Sequence, residues 1–329
     1  MALLDRMIER QQLGDENVAP DSHSYRSVIH AYSQNVQKGS AQKAEAVLEM
    51  MNQSEDFTQK PDAMLYHVVI HMYSHNREIN APQRAEALLN SMHEKYQNGD
   101  VSVKPTTITF NVVLNTHAQS TPSSPERAEE ILQRMQNLYQ SGNPDVQPDI
   151  ISFNCVLNAH ANSHVKGAAK RAFTILDSIQ DQYQKGIICA KPNTRSYNTC
   201  LKACCLCGNY DLSRSVENRT NIDIACCLLT QIHQHGNELR PDEWTYNWFF
   251  KACQELCDDV RERESLLEWS FRLCCGNGML THRLFRDLSQ VTDMRKLLGP
   301  NYVDKQPSQL VMSTLPKHWS CRVGKAGGF

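Results

Sequence analysis

An aromatic residue followed by packing side chains three, four and seven places later recurs six times, at Tyr25, Tyr66, Phe110, Phe153, Tyr197 and Tyr246. Phe110, Val113, Leu114 and His117 show the pattern, and that spacing lays all four on one stripe of an α-helix. A second stripe follows each of the first five, headed by Ala44, Ala85, Ala128, Ala172 or Ala225, as in Ala128, Ile131, Leu132 and Met135. The step from aromatic to alanine is 18 or 19 residues in four copies and 28 in the fifth, which carries an insertion over residues 209–220. An alanine has no bulk to hold two helices apart, so it suits a close crossing within each pair. Helix pairs that bury one face each cannot stand alone, whereas pairs stacked in series bury a continuous core. The predicted fold class is therefore all-α: an α-solenoid superhelix of stacked helix-turn-helix repeats, first helices lining one surface and second helices the other.

Prolines at 20, 61, 105, 148, 192 and 241 punctuate the units at spacings of 41, 44, 43, 44 and 49 residues. Each is followed by a residue suited to cap a helix N-terminus: Asp21, Asp62, Thr106, Asp149, Asn193 or Asp242. The expected repeats are 21–61, 62–105, 106–148, 149–192, 193–241 and 242–278, the sixth with a weakly matching second helix over residues 265–273. Leu3, Leu4 and Met7 match the later part of a second stripe, so residues 1–20 read as a partial repeat holding a second helix only, and residue 1 as falling inside a repeat. Residues 279–329 show no copy of the pattern and read as a helical cap with an irregular end. The connectors at 97–103 and 141–146 read as surface loops.

Lys and Arg total 34 against 36 Asp and Glu, so no global basic field advertises a polyanionic partner, and nucleic-acid binding would have to be local and led by shape. No stretch approaches the roughly 20 consecutive apolar residues that cross a bilayer, so no membrane partner is expected. The thirteen cysteines, several in adjacent pairs within apolar helical patterns, read as reduced thiols. Cys204, Cys205 and Cys207, the Cys226 and Cys227 pair, and Cys253 with Cys257 invite a zinc reading. They lack paired Cys-x2-Cys elements or a histidine set, and Cys204 and Cys253 fall at the stripe place held elsewhere by Tyr32, Tyr73, His117 and His160. They read as small core residues, and His30, His71, His117 and His160 as packing or groove residues. No phosphate-cradling glycine loop, nucleophile motif or carboxylate cluster is present, so neither catalysis nor a cofactor is expected.

An aromatic-Asn start to the first helix, an alanine opening the second, a Met or Ile closing it, and Pro-Asp or Pro-Asn at the junction together resemble the pentatricopeptide repeat family. The tetratricopeptide signature of Trp, Leu-Gly and Tyr is absent. The resemblance spans residues 1–278 and is fullest over 105–148 and 148–192, with units longer than the family's usual length because their connectors are extended. It implies sequence-specific binding of single-stranded RNA, one base per repeat, in organellar RNA processing, stability or translation, and hence a place in the mitochondrion or chloroplast. In that scheme the residue after the aromatic and the residue after the next proline read the base. The pairs are Asn111 with Asp149, Asn154 with Asn193, and Asn198 with Asp242, while Asn247 has no recognisable partner. The family's pairing implies U for Asn with Asp and C or U for Asn with Asn, a short pyrimidine stretch U-Y-U. Residues two before the aromatic pack on the base: His23, Met64, Ile108, Ile151, Arg195 and Trp244. Arg26 with Asp62 and His67 with Thr106 match no base.

The residues after the prolines have a complete explanation as helix caps, but the asparagines do not. Asn111, Asn154, Asn198 and Asn247 sit within the first two turns and past the cap, where helix stability asks for no asparagine. The alternative is a helical scaffold that holds a protein partner without reading bases.

Overall fold

The structure is a computed structural model describing residues 2–13, 15, 18–35, 37–54, 57–76, 80–207, 214–235, 238–290, 292–298 and 315–320. Among these residues all regular structure is helical. The chain divides into two compact units, Met1–Ala159 and His160–Phe329. The first contains α1 (Ala2–Gln12), α2 (Ser22–Gln34), α3 (Ser40–Gln53), α4 (Ala63–Asn76), α5 (Ala81–Gln97), α6 (Thr107–Gln119) and α7 (Pro125–Gln140). The boundary falls inside α8 (Ile150–Ser163). The second continues with α9 (Ala168–Gln184), α10 (Thr194–Leu206), α11 (Arg214–Gln234), α12 (Glu243–Leu256), α13 (Val260–Gly276), α14 (His282–Ser289) and α15 (Met294–Leu298).

Helices pack in the order in which the chain makes them. In the first unit α2 lies on α3 and α4, α4 on α5 and α6, and α6 on α7, while α3 and α5 each also support the helix that follows. In the second, α10 lies against α9, α11 and α12, and α12 against α11, α13 and α14. The recurring aromatics are the interior: Tyr66, Phe110 and Tyr246 are completely buried, and Tyr25, Phe153 and Tyr197 nearly so. All five stripe-heading alanines are fully buried, as a close crossing requires.

Every first helix begins on its cap residue. Asp21, Asp62, Asp149, Asn193 and Asp242 accept the amide N–H three residues on, at 2.7 to 3.1 Å. At Thr106 the backbone N–H donates instead to Thr109 Oγ1 at 3.0 Å. The connectors are less purely loops than the sequence suggests. After α5 and α7 the chain turns through Gly99 and Gly142, both at φ 99°, a left-handed conformation that a side chain would oppose. Each connector then closes into a single 3-10 turn that drives Val103 or Val146 into the core. Ala190 and Leu239, likewise two residues before a junction proline, are also buried. The described part of the insertion, 214–220, is helical and lengthens α11, whereas 208–213 lies outside the described residues.

Residues 279–329 read as a helical cap with an irregular end, and their described part opens on the short helix α14. Thr281 caps α14 through Leu284 N at 3.1 Å, and Phe285, four residues after that cap, is buried as Tyr246 is four after Asp242. α14 is thus a short first helix in register. The remainder of the tail, 299–314 and 321–329, lies outside the described residues.

Between successive pairs in the first unit runs a ladder of ion pairs. Arg84 Nη1 meets Glu45 at 2.7 Å, and Arg127 grips Glu86 with two nitrogens, Nε at 3.0 Å. Glu86 also lies 3.7 Å from the buried His117. Burial pushes the His117 pKa down, against the opposing pull of Glu86. Burial likewise lowers His67, His71, His93 and His233. The unfolded chain therefore binds more protons in mild acid than the folded one. Stability is complete above about pH 6.5, the unperturbed histidine value, and is lost as pH falls through the depressed folded values. Thermal melting from about pH 7.5 to 5.5 should show Tm falling on the acid side, with a shallower fall in His117→Gln. A flat profile contradicts this account.

Candidate nucleic-acid interface

In α2, α4, α6 and α10 the residue after the aromatic stands one turn beyond the cap and reaches the start of the next first helix. In the first unit Asn111 Nδ2 donates to Asp149 Oδ1 at 3.0 Å, while Ser152 Oγ donates to Asn111 Oδ1 at 2.6 Å. The same Asp149 oxygen caps Ser152 N at 2.9 Å. The second unit repeats the arrangement atom for atom. Asn198 Nδ2 donates to Asp242 Oδ1 at 2.9 Å, Thr245 Oγ1 donates to Asn198 Oδ1 at 2.7 Å, and Asp242 caps Thr245 N at 2.9 Å. An ionised carboxylate only accepts, so the amide must turn its NH2 toward it, and the hydroxyl then meets the amide oxygen. The orientation is set before any ligand arrives. Each amide retains one N–H and one lone pair, a donor and an acceptor side by side. Asn111 is half-buried and Asn198 is 8% exposed. The sequence reading missed the hydroxyl three residues after the cap, although Asp-x-x-Ser and Asp-x-x-Thr are visible signals.

The other pairs differ. Arg26 Nη2 meets Asp62 Oδ2 at 3.0 Å as a solvent-facing ion pair. His67 Nε2 lies 2.6 Å from Thr109 Oγ1, the hydroxyl that follows Thr106 by three. Asn154 is half-buried, with Oδ1 enclosed and lacking a hydrogen-bond partner among the described residues. Asn193, in the other unit, receives Ser196 N at 3.1 Å and Ser196 Oγ at 3.2 Å. Asn247 is half-buried, and Thr281 stands at its cap place, a partner position invisible in the sequence.

Two residues before each aromatic the chain presents apolar or planar side chains to solvent. Met64 is 64% exposed, Ile108 62%, Ile151 56% and Trp244 49%, and His23 and Arg195 are exposed at the same place. Single exposed apolar residues are ordinary, but their recurrence at one register of successive helices is not explained by folding. One turn beyond the asparagine place stand His30, His71 and Asn115 in the first unit and Lys202 and Lys251 in the second. His30, His67, His71 and His75 line a groove of about 440 Å³. In the second unit Arg195, Asn198, Thr199, Lys202, Asp242, Trp244 and Trp248 line a cavity of about 310 Å³. Lys202 Nζ donates to Asn162 Oδ1 at 2.6 Å, burial pushes its pKa down, and Lys251 Nζ lies 5.7 Å from the Trp248 ring centre.

The cysteines lie elsewhere. Cys204 and Cys253 are fully buried, and burial pushes the Cys205 thiol up to about 12 and Cys257 to about 11, which leaves them protonated and inert near neutrality. Among the described residues no three His, Cys, Asp or Glu side chains come together to hold a metal ion, and no helix is long and apolar enough to cross a membrane. Compared with known proteins, the chain matches no family model and no curated sequence.

Proposed function

We propose that this chain is a helical-repeat reader of single-stranded RNA, an α-solenoid of the pentatricopeptide type that takes one base per repeat. One observation carries the reading: solvent-exposed Ile108 and Ile151 in the first unit and Arg195 and Trp244 in the second each stand two places before the aromatic of a helix whose next residue is an asparagine, and two of those asparagines, Asn111 and Asn198, are oriented by a carboxylate and a hydroxyl. An exposed flat or apolar side chain offers a face for an unpaired base, and the neighbouring amide offers a donor and an acceptor to its edge. At Asn111 with Asp149 and at Asn198 with Asp242 that edge matches the O4 and N3–H of uracil. The family's pairing implies C or U for Asn154 with Asn193, and on that resemblance the preferred tract is U-Y-U. Lys202 and Lys251 supply positive charge that the near-neutral chain lacks as a whole. The resemblance supports organellar transcripts, in the mitochondrion or chloroplast, as the substrate, with binding serving their processing, stability or translation.

Electrophoretic mobility shifts with short homopolymers test this directly. Poly-U and poly-C should bind at concentrations where poly-A does not, and binding should weaken modestly with salt because few phosphates are neutralised. Equal binding of all three would overturn base reading. A second reading, a scaffold for a protein partner, is favoured by the near-burial of Asn198, whose amide ties α10 to the start of α12. Under it, replacing Asn198 would lower stability and leave no base preference to lose.

A further inference from the structure

The repeat also builds a polar cluster around the hydroxyls of its buried tyrosines. At Tyr66 in α4 the hydroxyl donates to Asn52 Oδ1 at 3.1 Å and accepts from Lys95 Nζ at 3.0 Å, and the same ammonium donates to Asn52 Oδ1. Asn52 stands one place after Met51, the last stripe residue of α3, and Lys95 three places after Met92, the last of α5. At Tyr246 in α12 the corresponding places hold His233, one after Ile232 of α11, and Asn277, three after Cys274 of α13. Both meet the hydroxyl, at 3.3 and 2.9 Å. In each case the chain closes over its own tyrosine.

At Tyr197 in α10 the two places hold Gln180 and His235, and they stay apart from the hydroxyl. α11 ends at Gln234, so His235 lies past the helix and exposed, and an imidazole lacks the reach of a lysine. A cavity of about 330 Å³ opens instead, lined in part by Phe173, Leu176, Asp177, Gln180, Tyr197 and His235. It shares no residue with the cavity around Asn198. Tyr197 is 2% exposed, and the side chains of Tyr197, Gln180 and Asp177 make no hydrogen bond among the described residues. Burial, with Cys200, Asp177 and Cys227 beside it, pushes the Tyr197 pKa up and keeps the hydroxyl protonated. Asp181 at the rim is paired with Lys185 at 2.7 Å, whereas Asp177 has no ion-pair partner among the described residues, and no lysine or arginine lines the cavity. A buried phenol oxygen, an amide oxygen and a carboxylate together lack a cationic donor, and Lys95 shows which donor the same place takes at Tyr66. Phe173 and Leu176 add an apolar wall along which an alkyl stem can lie.

We propose that this cavity binds the ammonium group of an aliphatic amine, held by Tyr197, Gln180 and Asp177 in the place that Lys95 fills at Tyr66. The site is independent of the reading of this chain as an RNA binder. Isothermal titration of the full chain with 1,4-diaminobutane should show saturable binding, and the uncharged 1,4-butanediol should bind at least roughly tenfold more weakly. Asp177→Asn should weaken the diamine roughly 5- to 30-fold and Tyr197→Phe roughly 3- to 10-fold, modest values because the carboxylate is exposed. His235→Lys restores the chain's own ammonium and should lower diamine affinity by about tenfold or more. Glu126→Gln, which removes an exposed carboxylate of α7 in the other unit, should leave affinity within about twofold. Circular dichroism of each variant controls for folding. N-acetyl-lysine amide, titrated beside the diamine, separates two sources of the same group: binding at least as tight as the diamine supports the site with a lysine side chain as its ligand, and weaker binding supports it with a free amine. No saturable diamine binding, diol binding as tight as the diamine, or an affinity unchanged within about twofold in Asp177→Asn or in His235→Lys overturns the proposal.

Discussion

Phe110→Ala is expected to cost the first unit about 3–5 kcal/mol of stability. Phe110 is completely buried in α6, which packs on α4, α5 and α7 at once, so truncation opens a void where three interfaces meet. The surrounding aromatics and alanines are themselves fully enclosed, which leaves little slack for the site to collapse. Because each helix pair contacts mainly its neighbours in sequence, the damage should be local. Hydrogen exchange should quicken in α4 to α7 far more than in α10 to α13. Phe110→Leu, which keeps most of the volume, should cost clearly less. An unfolding free energy changed by under about 1 kcal/mol would mean that the aromatic stripe is not the core the repeat requires.

Replacing both oriented amides, Asn111→Ala with Asn198→Ala, should remove most of the preference for poly-U over poly-A. A well-placed pair of hydrogen bonds to a base edge discriminates by about 1–3 kcal/mol, and the two asparagines share no partner, so their losses should add to roughly 30-fold or more. The same change strips Asp149 and Asp242 of a donor, yet both retain their caps on Ser152 and Thr245. Stability should therefore fall by only about 1 kcal/mol per site. This separates the two readings of the molecule: a scaffold predicts the stability loss alone. Asp149→Asn sharpens the comparison, since asparagine still caps a helix but no longer forces the Asn111 amide to face it with its NH2. Base preference should loosen with the helix start intact.

Much of the architecture was legible because its signals act within a helical turn. The aromatic stripes mark α2, α4, α6, α8, α10 and α12, the alanine stripes mark their companions, and the residues after the prolines mark where helices start. What escaped lies where local pattern thins out. Val103 and Val146 are lone apolar residues in polar connectors, and nothing periodic announces that a 3-10 turn will bury them. α14 runs for only 8 residues, too short for a stripe to repeat, and its identity shows only in its packing on α12.

The sequence by itself determined helices, their pairing and the residue types at each place, because periodicity and capping are properties of a single segment. Only the tertiary structure decided which side chains meet across successive repeats. Asn111 finds Asp149 across 38 residues, Asn198 finds Asp242 across 44, and Arg283 settles on Trp244, because packed helices bring the same register of neighbouring units together. It also decided that Met64, Ile108 and Ile151 remain in water. Apolar character says that burial is favourable, but whether a partner surface exists to bury against depends on where the neighbouring helices lie.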